Sequence, residues 1–268
     1  MKLVFIGGGN MAAAIIGGLR RGSGAADEIV VVDHDAARRA LLAQDYAVSA
    51  HASLGNAPDG ATIVVLAVKP GDVAAVCATL RPVLGGALVV SIAAGIPSSA
   101  IANWCGTDAV VRTMPNTPAL IGQGITGMFA RAGATSAQRE AAARTLQAIG
   151  DAVWLDEEGM LDAVTAISGS GPAYVFYFIE ALQAAARQMG MDPAQARHFT
   201  VQTFVGAAQL AAQSPEDVAL LRERVTSKGG TTAAALAHLQ AQAVGPAITA
   251  AAFAALERSR EMARTYAS

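Results

Sequence analysis

Lys2-Leu3-Val4-Phe5-Ile6-Gly7-Gly8-Gly9-Asn10-Met11-Ala12 is the stretch that decides the fold. Residues 3–6 are apolar without alternation, as in a strand covered on both faces. The run ends in three glycines, and residues 11–19 continue with helical character. Strand, glycine turn and helix in that order make the first βα unit of a parallel sheet. Further β-branched runs at 29–32, 62–67, 88–92 and 110–114 alternate with alanine-rich helical stretches. Two later runs, 125–130 and 152–155, are candidates to extend the sheet, with a helix over 136–149 between them. After Asp156 strand-like runs stop, and helical patterns rich in Ala, Leu, Gln and Arg continue to the C-terminus. The expected fold class is α/β: a Rossmann-type doubly wound parallel sheet over residues 1–158, then an all-α dimerisation domain over 159–268.

A chain of 268 residues, 53% apolar and only 15% charged, can bury a large core and exceeds the usual single-domain size. Its 19 basic and 21 acidic side chains give a net charge of -2 and no electrostatic footprint for nucleic acid. The expected partner is a small molecule or another subunit. Cys77 and Cys105 share no metal-ligand spacing with each other or with the four histidines, so no metal site is expected. Two cysteines do not make a disulfide framework, which fits a reducing, cytoplasmic setting. The apolar run at 3–6 is too short for a signal peptide. The most apolar later stretch, 173–179, is followed by Glu180, Gln183 and Arg187, well short of the roughly 20 apolar residues of a span, so no membrane segment is expected. Pro172, Pro193, Pro215 and Pro246 lie near helix starts, where a missing N–H costs little. Stretches 173–189 and 247–256 are apolar around most of their circumference, as if buried in a dimer interface; a tight alanine-rich monomeric bundle is the alternative.

Gly7 to Ala12 form a G-x-G-x-x-A pattern. Gly7 permits the tight turn, Gly9 lets a pyrophosphate approach the backbone, and Ala12 lets the helix pack on the strand. Asn10 and Met11 open that helix, whose free N–H groups face the phosphates. A glycine turn without a ligand is the plainer reading. Asp33, about 20 residues further on, ends the second strand and can accept hydrogen bonds from a ribose diol, which favours NADH. His34, Arg38 and Arg39 are near enough in sequence to offset its charge toward a 2′-phosphate, so NADH and NADPH both stay open. Ala67-Val68-Lys69-Pro70, Ser91-Ile92-Ala93-Ala94-Gly95 and Met114-Pro115-Asn116-Thr117-Pro118 belong at the carboxyl edge of the sheet, where ligands bind in such folds. Asn116 can hydrogen-bond a cofactor or substrate amide, and Lys69 alone also reads as a surface lysine. Gly229 and Gly230, just before a helix over 233–239, offer converging backbone N–H groups that suit a carboxylate. Ser227, Thr231 and Thr232 add hydroxyls; alternatively Thr231 or Thr232 serves only as an N-cap.

Phe5-Ile6-Gly7-Gly8-Gly9-Asn10-Met11, Ala67-Val68-Lys69-Pro70, Met114-Pro115-Asn116-Thr117-Pro118, Ser168-Gly169-Ser170-Gly171-Pro172-Ala173-Tyr174 and Ser227-Lys228-Gly229-Gly230-Thr231-Thr232 together strongly resemble the pyrroline-5-carboxylate reductase family, in order over essentially the whole chain. The resemblance implies a helical domain interlocked with its twin, in homodimers that often assemble further. It implies reduction of 1-pyrroline-5-carboxylate to L-proline with NADPH or NADH. On this reading Gly7, Gly9, Asn10, Met11, Asp33, Ala67, Val68, Lys69, Pro70, Ala93, Ala94, Gly95 and Asn116 hold the cofactor. Val225, Ser227, Gly229, Gly230, Thr231 and Thr232 hold the substrate, and Thr232 is the catalytic residue that hydrogen-bonds the ring nitrogen. Lys228 stands where the family more usually has proline. A β-hydroxyacid dehydrogenase or related imine reductase shares the glycine opening, but those dehydrogenases carry a lysine on the first helix of the second domain, and residues 168–189 contain none. A non-catalytic nucleotide sensor is the competing reading of a different class.

Overall fold

Strands that are apolar on both faces need helices on both sides of the sheet. The computed structural model describes residues 1–22, 27–55 and 57–266. β1 (Lys2–Ile6), β2 (Glu28–Val32), β3 (Ser49–His51), β4 (Ile63–Leu66), β5 (Leu88–Ser91), β6 (Val110–Met114), β7 (Gly124–Ala130) and β8 (Gly150–Trp154) form one sheet in the order β3-β2-β1-β4-β5-β6-β7-β8. Alternate residues of β1 enter opposite cores: Leu3 and Phe5 join Ile15 and Ile16 of α1 (Asn10–Arg21) and Leu146 of α5 (Ser136–Gln147). Val4 and Ile6 join Cys77 of α3 (Val73–Leu80) and Ile101 of α4 (Ser98–Cys105). Between β2 and β3 runs α2 (Ala36–Tyr46). Cys77 and Cys105 have no sequence relation, yet the second core buries both free thiols in one cluster.

Three features of the sheet differ from what the sequence pattern predicts. β3 was not expected: Ser49-Ala50-His51 has little strand character, and parallel pairing with Val30, Val31 and Val32 makes it a strand. The sheet is not parallel throughout, because β7 runs antiparallel to β6. The connection from 115 to 123, built on a 3₁₀ turn at Thr117–Ile121, is shorter than the dozen or so residues a parallel crossover needs. The runs at 62–67 and 88–92 are strand only over Ile63–Leu66 and Leu88–Ser91, since their last residues turn into the carboxyl-edge loops.

Beyond β8 the described chain is helical: α6 (Met160–Val164), a π turn at Thr165–Gly169, α7 (Gly171–Gln188), α8 (Pro193–Gln213), α9 (Val218–Arg224), α10 (Thr231–Ala241) and α11 (Val244–Tyr266). Two compact units result, one of Met1–Ser170 with Ala255–Ser268 and one of Gly171–Ala254. The compact division therefore falls later than the change of texture after Asp156, and the end of α11 belongs to the sheet-bearing unit. The Ser259 hydroxyl donates to the buried Asp162 carboxylate at 2.7 Å, and Met262 lies against Gly95. In the helical unit α7 packs on α8, but only Ala196 and Thr200 are buried among its described residues. Phe176, Tyr177 and Phe253 are 65%, 71% and 64% exposed, so this unit does not close a core of its own as a self-contained bundle would. No single helix among the described residues is long and apolar enough to cross a membrane.

Candidate functional site

The chain leaves β1 between β2 and β4, the point where strand order reverses and α/β sheets open a crevice. Gly7 has φ +98°, and a Cβ there would lie 2.5 Å from the Ala67 carbonyl oxygen, so only glycine fits the turn. Gly9 is the N-cap of α1 with ordinary extended backbone, no side-chain cap, and nothing within 4 Å of where a Cβ would stand. Ala12 is fully buried against the strand. Exposed Asn10 and half-buried Met11 form the first turn. Gly7, Gly9, Asp33, Ala67, Val68 and Lys69 line one cavity of about 550 Å³. An uncapped helix start, open space over Gly9 and a cavity between three strand ends fit a dinucleotide.

Asp33 is less free than its position in the sequence implies. Its Oδ2 accepts the Gly8 N–H at 2.6 Å and its Oδ1 accepts the Asp35 N–H at 2.8 Å, so the carboxylate braces the glycine turn. The neighbouring cations are placed differently from one another: Arg39 donates to the Asp33 carbonyl oxygen at 2.8 Å, whereas the His34 ring is fully exposed, 3.7 Å from Oδ1. Asp35, not singled out in the sequence, caps α2, and the N–H groups of Arg38 and Ala37 hold its carboxyl below the usual range.

Further along the edge, Lys69 is the exposed cap of a 3₁₀ turn that begins at Pro70. The loop after β5 is tied at its base: the Ser91 hydroxyl accepts the Ala93 N–H at 3.2 Å, and the Thr113 hydroxyl donates to the Ser91 carbonyl at 2.9 Å. Ala93 and Gly95 are buried and Ala94 half-buried. Buried Asn116 spends its Oδ1 on the Ile125 N–H at 3.0 Å, holding the start of β7. Met114 at the end of β6 packs where a Cβ on Gly169 would sit, which places Gly169 beside this strand end. The sequence reading missed Arg112, Ser98 and Glu158. The Glu158 carboxylate accepts the Ser98 N–H and hydroxyl, each at 2.6 Å, and Arg112 Nη1 at 3.0 Å. Burial pushes Glu158 up, but the two Ser98 bonds and the Arg112 guanidinium outweigh it and hold the carboxyl below the usual range. The available signal was Arg112 itself, a cation in the otherwise uncharged strand Val110–Met114.

In the helical unit, Val225 follows α9, and Ser227 to Gly230 form a tight turn closed by the Gly230 N–H on the Ser227 carbonyl at 3.0 Å. Gly229 adopts φ +71°. Gly230, not Thr231 or Thr232, is the N-cap of α10, and no side chain caps that helix. The capping alternative for the two threonines therefore falls. Exposed Thr231 and half-buried Thr232 are the first helical residues, beside uncapped N–H groups. The structure thus gathers the sequence-predicted residues into two groups, one in each compact unit.

Known proteins match this arrangement along the whole chain. The family model for pyrroline-5-carboxylate reductase dimerisation matches residues 158–262, and one described as NADP oxidoreductase, coenzyme F420-dependent, matches residues 2–95. A pyrroline-5-carboxylate reductase of Pseudomonas aeruginosa is 46% identical over 98% of this chain and 97% of its own. The solved structure of a pyrroline-5-carboxylate reductase from Coxiella burnetii superposes with TM-score 0.91 at 36% identity, over 97% of each chain. A Plasmodium falciparum pyrroline carboxylate reductase with NADP bound gives TM-score 0.87 at 26% identity, over 98% of each chain. With fold, loop order and full-length identity in agreement, this chain belongs to the pyrroline-5-carboxylate reductase family.

Proposed function

We propose that the protein reduces 1-pyrroline-5-carboxylate to L-proline, the last step of proline biosynthesis, with NADPH or NADH. The Ser227 to Thr232 turn is the observation that carries this reading. It opens α10 on a glycine, with uncapped N–H groups for a carboxylate and with threonine hydroxyls that no capping bond consumes. Ser227, Gly229, Gly230 and Thr231, with Val225 beside them, hold the substrate, and Thr232 is the catalytic residue. Its hydroxyl faces the ring nitrogen, orients the C=N bond and relays a proton there. Gly7, Gly9, Asn10, Met11, Asp33, Ala67, Val68, Lys69, Pro70, Ala93, Ala94, Gly95 and Asn116 hold the dinucleotide. The bound, reduced nicotinamide supplies the hydride to the imine carbon. Positioning provides much of the rate in such a transfer, and an imine that arrives protonated needs no strong protein acid. This accounts for a substrate turn without a His–carboxylate pair.

In this reading residues 1–158 are the dinucleotide domain and 159–268 the dimerisation and substrate domain. The exposed Phe176, Tyr177 and Phe253 support a homodimer, able to assemble into a larger homo-oligomer, and the free, buried cysteines suit a cytoplasmic setting. Replacing Thr232 by alanine tests the assignment. Turnover is expected to fall at least about tenfold, or about 1.4 kcal/mol of transition-state stabilisation, with dinucleotide affinity unchanged. Wild-type turnover of 1-pyrroline-5-carboxylate by this variant rules the role out.

A further inference from the structure

The loop between β5 and α4 is held from several directions. At its start the Ser91 hydroxyl takes the Ala93 N–H, and Thr113 fixes the Ser91 carbonyl. In its middle Gly95, at φ +75°, is covered by Met262. At its end α4 has Pro97 as N-cap and no side-chain cap from its own segment. That duty falls to Glu158, 60 residues further on, which binds both the N–H and the hydroxyl of Ser98. A carboxylate at a helix N-terminus is favourable in itself. Arg112 ties this carboxylate back to the sheet: its side chain is 6% exposed, it touches Glu158 at 3.0 Å, and on β6 it is the register partner of Ser91. Ser91, Arg112, Glu158 and Ser98 thus close a ring of contacts around the two ends of one loop.

Across a switch point, the two halves of a dinucleotide lie over opposite sides of the sheet. Asp33 follows β2 on one side, so the loops after β4 and β5 flank the nicotinamide half. We propose that Glu158 is a positioning residue for hydride transfer: through Ser98 and Arg112 it fixes the Ala93–Ala94–Gly95 loop where the nicotinamide must lie. This rests on the dinucleotide reading of the glycine turn. Glu158 touches neither reactant in this role, so its removal misplaces the hydride donor without removing a phosphate contact.

The test uses the full chain with Glu158→Gln, Glu158→Ala, Ser98→Ala and, as a control on the site, Gly9→Ala. Two readouts are taken: kcat and KM with NADPH, and the dissociation constant of 2′-phospho-ADP-ribose, which lacks the nicotinamide. Glu158→Ala is expected to lose about tenfold or more in kcat, and the isosteric Glu158→Gln about threefold. Ser98→Ala should fall between wild type and Glu158→Ala, with fragment affinity within about twofold of wild type in all three. If Glu158→Ala does not fold, the glutamine and Ser98 variants carry the same test. A kcat within twofold of wild type in every variant overturns the proposal, and so does fragment affinity that falls in step with kcat. If Gly9→Ala leaves fragment binding unchanged, the dinucleotide site itself is misassigned, a separate failure that takes the proposal with it.

Discussion

Gly7 and Gly9 stand two residues apart in one turn, and the structure gives their side-chain hydrogens opposite meanings. A methyl on Gly7 would meet the Ala67 carbonyl at 2.5 Å while holding φ +98°. Strained backbone of that kind costs about 1–3 kcal/mol and overpacking about 1–3 more, so Gly7→Ala should destabilise the free chain by roughly 2–6 kcal/mol. At about 2–4 °C per kcal/mol for chains of this size class, Tm falls by roughly 4–24 °C. A methyl on Gly9 meets nothing within 4 Å, at φ -65°. Alanine is a poorer N-cap than glycine by up to about 1 kcal/mol, which the smaller entropy of the unfolded chain partly offsets, so Tm should fall by no more than about 4 °C. If Gly9 is the pyrophosphate contact proposed above, the same methyl occupies the space the pyrophosphate needs, and NADPH affinity should drop at least about tenfold, or about 1.4 kcal/mol. Thermal melts of the free chain and a fluorescence titration with NADPH read the two effects separately. Gly9→Ala binding NADPH as tightly as wild type, or Gly7→Ala melting where wild type does, would refute these roles.

Other expectations follow from single observations. Because Phe253 and Tyr177 expose most of their rings, Phe253→Glu should shift the chain toward monomer in light scattering; a wild-type chain that is monomeric at micromolar concentration removes the premise. The carboxylate at the end of β2 should make NADH at least competitive with NADPH in kcat/KM, and a large NADPH advantage counts against it. Glu158 is held below its ordinary range by its partners, so the stability it contributes is complete above the unfolded carboxylate value and disappears as pH falls through the lower folded one. The gap between wild type and Glu158→Gln in urea unfolding should therefore be full at neutral pH and close below about pH 4; a gap independent of pH contradicts this.

Much of the sheet was legible because its strands are apolar runs bounded by glycines and by polar turns, a signal that needs no partner to be read. The glycine turn was equally plain, since Gly7 and Gly9 sit between a strand and a helix. Ser49–His51 was not legible, because three weakly β-forming residues become a strand only when β2 lies alongside. The reversal of β7 was missed because a run such as 125–130 carries no direction; connection length decides it. Glu158 escaped notice for a related reason: an acidic residue between Glu157 and Gly159 looks like surface until Ser98 and Arg112, 60 and 46 residues away, converge on it.

The sequence by itself determined the α/β class, the glycine turn after β1, the Ser227 to Gly230 turn before α10 and the family resemblance, because each is written in contiguous residues whose local conformation is dictated by sterics and hydrogen bonding. Only the tertiary structure decided that Asp33 braces Gly8, that Asn116 holds β7, that Gly230 caps α10 in place of a threonine, and that the tail of α11 returns to the sheet-bearing unit. The physical reason is the same in each long-range case. A buried polar group must find a partner, and which partner it finds is set by the packing of distant segments, a choice that no local pattern records.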